Sequence, residues 1–168
     1  MSHKAEVIAM LGELNIPCAI YEHEAAHTME DCLALPYATP EVTFCKNILL
    51  CNRQLTDFYL LVMLPCKAFR TSEVSKRLGS SRLSFAPAEV LREMLGVESG
   101  SLSPMAVWFD RRKQMKLVFD GEVRRAGKIA FHPCDNTQTL VMDSKDFFDV
   151  FLPAVHHEPT FVEIHDFQ

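Results

Sequence analysis

The chain has 168 residues and a formal net charge of −5, with 48% hydrophobic and 23% charged side chains. That length suits one domain, spanning 1–168, which buries enough surface to fold without a disulfide or a metal. The composition excludes a disordered or fibrous chain. The longest apolar runs, such as 59–64, fall far short of the roughly 20 residues of a membrane span. Ser2 to Glu6 leads into an amphipathic pattern and not an apolar signal core, so a cytoplasmic protein is expected.

A helix is predicted to start behind Ser2 and to carry Val7, Met10, Leu11 and Leu14 on one face. Asn15-Ile16-Pro17 ends it, and 18–22 alternates weakly as a strand. Thr28, with Asp31 three residues on, marks a short helix reaching about Leu35. Residues 42–51 and 58–64 form strands around the polar turn 52–57. Helices follow over 72–78 and 87–95, the second opened by Pro87 and stopped by Gly96. The segments 106–109 and 116–119 flank the basic turn at Arg111 as a second hairpin. A short strand covers 139–142, Ser144 caps a last helix through Phe151 ahead of Pro153, and 160–164 adds an edge strand. Hairpins interspersed with helices indicate an α+β fold.

The six cysteines contain no CxxC pair, so reduced and mostly buried thiols are expected. Charge is unevenly placed. Residues 1–66 hold three basic and eight acidic side chains, 67–128 hold thirteen and seven, and 129–168 hold one and seven. The basic middle is densest at Arg111-Arg112-Lys113 and at Arg124-Arg125 with Lys128. Such clusters are either solvated turns or a one-sided footprint for a polyanion.

His23-Glu24-Ala25-Ala26-His27 spells HExxH, which in zinc hydrolases needs one continuous helix beneath both histidines. Here a strand runs into His23 and a helix begins only after His27, so the two are expected to straddle a strand end and a loop. Lys46 precedes an apolar strand: it either snorkels at a sheet edge or fixes a cation at a cleft mouth for a phosphate or a polarised carbonyl. Gly100-Ser101-Leu102-Ser103-Pro104 is a loop able to aim backbone N–H groups at one oxygen. His132-Pro133 with Asn136-Thr137 forms another polar cluster between apolar strands.

In this order, Lys46-Asn47, Leu78-Gly79, Arg82-Leu83-Ser84-Phe85-Ala86, Leu95-Gly96, the GSLSP loop and Phe131-His132-Pro133 with Asn136-Thr137 resemble the YbaK/prolyl-tRNA-synthetase-associated editing family over about 16–152. The motifs are most similar to its free-standing Ala-tRNA(Pro) deacylases, the ProX type. The resemblance implies a single domain whose mixed, mostly antiparallel sheet forms a partly closed barrel surrounded by helices. It also implies hydrolysis of mischarged aminoacyl-tRNA without a metal or another cofactor, the substrate's own neighbouring hydroxyl helping to activate water. Lys46 would then meet the terminal phosphate or the ester oxygen, and Asn47 the ribose. Gly100 and Ser101 would offer backbone N–H groups, and His132 would line the pocket with Ser103, Pro104, Asn136 and Thr137. The acceptor end of tRNA(Pro) becomes the expected partner, with prolyl-tRNA synthetase as a second one. Arg111, Arg112, Lys113, Arg124, Arg125 and Lys128 would face the acceptor stem. The competing readings are the same reaction on Cys- or Ser-tRNA, a non-catalytic tRNA- or synthetase-binding module, and a small zinc hydrolase using His23 and His27.

Overall fold

The computed structural model describes residues 2–36 and 38–164. Ser2 caps the first helix, α1 (His3–Glu13), its side chain accepting from the Ala5 N–H at 3.2 Å, and Val7, Met10 and Leu11 are buried. The expected Thr28–Asp31 capping box opens α2 (Met29–Leu33). Further on, α3 (Thr71–Leu78) and α4 (Ala88–Leu95) both end on a left-handed glycine. Gly96 takes φ +67°, and a Cβ there would collide with the His3 ring, so both backbone freedom and lack of bulk are used. The His3 ring stacks on Phe109 and meets the Leu95 carbonyl at 3.1 Å, fastening α1 to the end of α4.

The strands are β1 (Cys18–Glu22), β2 (Val42–Phe44), β3 (Lys46–Asn52), β4 (Phe58–Met63), β5 (Leu83–Phe85), β6 (Met115–Asp120), β7 (Lys128–Phe131), β8 (Gln138–Asp143) and β9 (Thr160–Val162). They form a four-stranded sheet in the order β1-β8-β7-β2 and a five-stranded sheet in the order β5-β3-β4-β6-β9. The fold is α+β as expected, with both parallel and antiparallel pairings. It is not a partly closed barrel: the two sheets share no ladder among the described residues. The expected single strand over 42–51 breaks at Cys45, so that β2 runs parallel to β7 in one sheet while β3 pairs with β4 in the other.

The strands β3, β4, β6, β7 and β8 are largely buried on both faces, whereas β1 is exposed or half-buried, which explains why several strands read as unbroken apolar runs. One core lies between the sheets, joining Leu49, Leu60 and Leu117 to Ile129, Leu140 and Met142, with Leu11, Leu95, Phe147 and Phe151 packed in. The other face of the five-stranded sheet presents Ile48, Leu50, Leu61 and Val118 to Val74 of α3. Cys32 of α2 and Ala26 cover Phe44, Ala130 and Val141 on the other face of the four-stranded sheet.

The second hairpin is absent. Residues 104–109 form a 3₁₀ helix because Pro104 starts it and Ser103 caps it, its hydroxyl accepting from the Met105 N–H at 3.2 Å. Met105, Ala106 and Val107 are buried, and β6 lies parallel to β4. The short elements β5, β7 and α5 (Gly121–Arg125) were not predicted. The last helix runs as Ser144–Asp146, a π-type turn Phe147–Phe151 and Leu152–Ala154, so it takes in Pro153 rather than stopping before it. The tail then adds β9 beside β6 in parallel. All six cysteines are free, with Cys32, Cys45 and Cys51 buried and Cys66 exposed. No helix among the described residues is long and apolar enough to cross a membrane.

Deep in this frame sits a charge. The Lys67 side chain is 4% exposed, its Nζ 2.8 Å from Asp120 Oδ2, 3.1 Å from Glu122 Oε1 and 2.8 Å from the Ile164 carbonyl. Burial opposes its ionisation, but the hydrogen bonds and charges of Asp120 and Glu122 outweigh this and hold its pKa above the usual lysine value. Replacing one partner of a buried pair typically costs ~3–5 kcal/mol, against ~0–1 kcal/mol for an exposed pair such as Lys116–Asp57. Lys67→Met should therefore lower the urea midpoint far more than Lys116→Met, because it strands the fully buried Asp120 carboxylate. Equal shifts for the two variants would contradict this assignment.

Candidate active site

Of the expected site residues, Asn47 and Gly100 line one cavity where the free half of β3 meets the GSLSP loop; Lys46, Ser101, Ser103, Pro104, His132, Asn136 and Thr137 do not line it. β5 pairs only with Leu50, Cys51 and Asn52, and the Ala86 N–H reaches the Leu49 carbonyl. That leaves Lys46 to Ile48 with no strand beside them on that side among the described residues. The GSLSP loop occupies this edge: Asn47 Nδ2 donates to the Leu102 carbonyl at 3.3 Å and to the Cys45 carbonyl at 3.5 Å. Asn47 Oδ1 is buried and has no hydrogen-bond partner. Asn47, Ile48, Gly100, Leu102 and Phe85 line a cavity of about 200 Å³. Larger hollows of about 680–690 Å³ lie on the outside of the four-stranded sheet, beside Arg53 and Arg82, and around His156. None of the three contains an expected catalytic residue, so the smaller cavity is the better candidate.

As neighbours in a strand, Lys46 and Asn47 project to opposite faces. The Lys46 ammonium lies on the α3 side, 3.3 Å from the Lys67 carbonyl, with no carboxylate within ion-pair distance among the described residues. Within the loop, Gly100 takes φ +91°, a conformation open to glycine at little cost. The Ser101 N–H donates to the Glu98 carbonyl at 3.0 Å, so of the two expected oxyanion donors that one is already engaged, and only the Gly100 N–H is left. Ser103 is fully buried and Pro104 opens the 3₁₀ helix; both shape the loop rather than face the cavity.

His23 and His27 lie on non-helical backbone, as anticipated from the strand before them and the Thr28 cap after them. His23 Nε2 is 2.7 Å from Thr139 Oγ1, whereas His27 Nδ1 is 3.2 Å from Asn136 Nδ2. Among the described residues no three His, Cys, Asp or Glu side chains cluster in a way that could hold a metal ion. His27 packs against Gly100, within 3.4–3.8 Å of where a Cβ would stand. Its own N–H and that of Thr28 donate to Asp31 Oδ2, and these two bonds hold the Asp31 carboxyl below its usual pKa. The 132–138 loop docks on the same segment: the Ala26 N–H donates to the Asn136 carbonyl at 2.9 Å and the His23 N–H to the Thr137 carbonyl at 3.0 Å. Thr137 in turn donates twice to Asp135, lowering that carboxyl's pKa.

His132 is 9% exposed, its Nδ1–H donating to the Gln138 carbonyl at 2.8 Å and its Nε2 3.5 Å from Cys32 Sγ. Burial lowers its pKa despite the Gln138 bond, and the nearby His23 adds to the effect. With both nitrogens engaged, the ring is not a free base. Nothing local to either residue announces the Cys32 contact, which spans 100 positions. The Cys32 thiol itself is pushed up by burial and by Asp31.

The expected stem contacts are dispersed. Arg124 pairs with Asp149 at 2.8 Å, Arg125 with Glu163 at 3.5 Å, and Lys113 Nζ donates to the Val155 carbonyl. Arg111, Arg112 and Lys128 are exposed and carry no ion pair among the described residues.

The chain matches the model of the aminoacyl-tRNA editing domain over residues 23–150. It belongs to the aminoacyl-tRNA editing domain family. It is 30% identical over 146 residues to the prolyl-tRNA editing protein ProX of Acetoanaerobium sticklandii, covering 87% of this chain and 88% of that one. It is 28% identical over 161 residues to the prolyl-tRNA synthetase associated domain-containing protein 1 of Mus musculus, covering 93% of each. The fold matches that of a candidate trans-editing enzyme for prolyl-tRNA synthetase with a TM-score of 0.70 at 13% identity, covering 98% of this chain and 99% of that chain. In this editing domain the matched span takes in Lys46, Asn47, the GSLSP loop and His132, and ends four residues short of the end of the last helix.

His132 and His157 share a direction. Burial lowers the pKa of His157 as well, outweighing Asp110, whose Oδ2 lies 3.8 Å from its Nε2. Both groups contribute stability that is complete above the unfolded value of about 6.5 and is lost as pH falls from there through their lowered folded values. The urea midpoint should therefore decline below about pH 6.5, and His132→Gln should flatten that decline. An unaltered slope in the variant would remove His132 from this account.

Proposed function

We propose that the protein hydrolyses mischarged aminoacyl-tRNA in trans, with Ala-tRNA(Pro) as its preferred substrate, in the cytoplasm and without a metal. The observation that carries this reading is the orphaned Asn47 Oδ1 at a small cavity beside Gly100. A buried acceptor left unpaired costs ~1–3 kcal/mol, which a substrate donor such as the α-ammonium or a ribose hydroxyl would recover. The ProX similarity supplies the reaction class.

The ester of an amino acid with ribose is already activated, so placing water and stabilising the oxyanion suffice. Water oxygen adds to the ester carbonyl carbon, whose electron pair moves onto its oxygen beside the Gly100 N–H. Collapse breaks the carbon–oxygen bond to the ribose, and the water's proton passes to the departing ribose oxygen through the neighbouring hydroxyl. Lys46, on the opposite face of β3 from Asn47, is better placed for the terminal phosphate than for the ester oxygen. The His27–Asn136 and His23–His132 contacts tie the 132–138 loop to the segment that packs on Gly100. In this reading the cavity of about 200 Å³ takes the aminoacyl end, and its walls would admit a methyl side chain and meet a pyrrolidine ring as overpacking. Such a sieve is needed because contacts worth ~1–3 kcal/mol cannot keep Ala out of a site built for Pro. Prolyl-tRNA synthetase, which hands over the mischarged product, is the protein partner this reading implies.

Offered tRNA(Pro) charged in turn with Ala, Cys, Ser and Pro, the protein should release Ala fastest and spare Pro. Cys cleaved ahead of Ala would reassign the amino acid; rapid Pro release would sink the editing reading; no cleavage at all would leave a binding module. In single-turnover assays Lys46→Ala should slow Ala release at least tenfold with unchanged circular dichroism, since a charge partner is worth several kcal/mol (roughly 2.7–4) of barrier. A near-normal rate would exclude Lys46 from the site.

A further inference from the structure

Beside the candidate cavity lies a second hollow of about 690 Å³, lined by Arg53, Leu55, Arg82, Ser84 and Phe85. Phe85 lines both hollows and stands between them along the β3–β5 edge. Its ring is 63% exposed, an unusual cost for phenylalanine, and is braced edge-on by Phe69 with centroids 5.3 Å apart. Arg53 and Arg82 are exposed and have no carboxylate within ion-pair distance among the described residues. Both lie in a protein of net charge −5 in which Arg92, Arg124 and Arg125 are each held by an acid, whereas Arg111 and Arg112, equally unpaired among the described residues, line neither hollow. Lys46 stands at the opposite end of β3, whose seven residues extend roughly 20 Å. A rigid exposed aromatic between unpaired cations is how single-stranded nucleic acid is held: the ring takes a base face and the cations take phosphates.

We infer that this edge seats the single-stranded 3′ end of the tRNA, with a base stacked on Phe85 and the preceding phosphates at Arg82 and Arg53. Lys46 then takes the terminal phosphate, delivering the ester to the Asn47–Gly100 cavity. The assignment rests on the deacylase reading above, and it moves the main RNA contact away from Arg124 and Arg125, whose charges Asp149 and Glu163 already neutralise.

The test uses two fluorescent, uncharged hairpins copying the tRNA(Pro) acceptor stem, one ending in single-stranded ACCA and one blunt. Anisotropy titrations of the full chain give Kd at several salt concentrations. Phe85→Ala should weaken binding of the tailed hairpin by about fivefold or more, the lower end for one base–aromatic stack, and leave the blunt hairpin unaffected. Phe85→Trp should restore it. Arg53→Gln and Arg82→Gln should each reduce the salt slope for the tailed hairpin by about 0.7, one single-strand phosphate, whereas Arg125→Gln should not. Unchanged Kd and slopes in a protein that still releases Ala from Ala-tRNA(Pro) would overturn the seat while sparing the deacylase. Equal loss of both hairpins on Phe85→Ala, or loss of self-association in its place on sedimentation, would overturn it too. Failure of the unmodified protein to release any amino acid is the separate result that removes the deacylase reading itself.

Discussion

The Lys67 ammonium is the contact on which the rest of the architecture depends. Taking a lysine out of water is costly, and the cost is met only where its donors are satisfied and countercharges are near. Here the donors reach Asp120 at the end of β6, Glu122 in α5 and the carbonyl of Ile164 beyond β9. One side chain thus joins the segment after β4 to three later parts of the chain. Asp120 works twice, since its Oδ1 also accepts from the Glu122 N–H and starts α5. The Lys67 carbonyl meanwhile holds the Lys46 ammonium, so a buried charge in the frame sets where a half-buried one is held.

The second constraint is the two-residue alternation of a strand. Because Lys46 and Asn47 are adjacent, they cannot share a face, and the structure uses both. Asn47 turns between the sheets toward Leu102, while Lys46 turns toward the segment that leads into α3. β5 is only three residues long, so the first half of β3 stays open. An open edge usually invites unwanted pairing; here the GSLSP loop covers part of it, and what is left becomes the mouth of a cavity. A phosphate on one side of the strand and an ester on the other would straddle that edge.

Much of this was legible in the chain, and the exceptions have definite causes. The capping box at Thr28, the stop at Gly96 and the edge strand at 160–162 follow from local chemistry, so the residues around them announce them. Val42 to Cys51 reads as one strand because nothing local marks Cys45 as the point where the chain changes sheets. The buried run at 105–107 looks like a strand because burial on every side has no period, and Pro104 with Ser103 decides the matter. In the site, Lys46, Asn47 and Gly100 were visible as motif residues. The engagement of the Ser101 N–H by Glu98, and of both His132 nitrogens by Gln138 and Cys32, needed the fold.

Charge follows the same logic as those nitrogens: what matters is what remains after partners are assigned. By density alone, 111–128 is the basic region, yet Lys116, Arg124 and Arg125 each face a carboxylate within 4 Å, and Arg111, Arg112 and Lys128, unpaired among the described residues, line neither hollow at the β3–β5 edge. A paired cation has little left to offer a phosphate, because the pair is close to neutral beyond the Debye length of about 8–10 Å. Arg53 and Arg82 sit in sparser sequence but keep their full charge, and an exposed Phe85 ring lies between them and the open half of β3. An acidic protein can therefore hold an anionic strand without a basic face. It needs a few uncompensated cations aligned with one open strand edge, and an aromatic ring to fix the register between them.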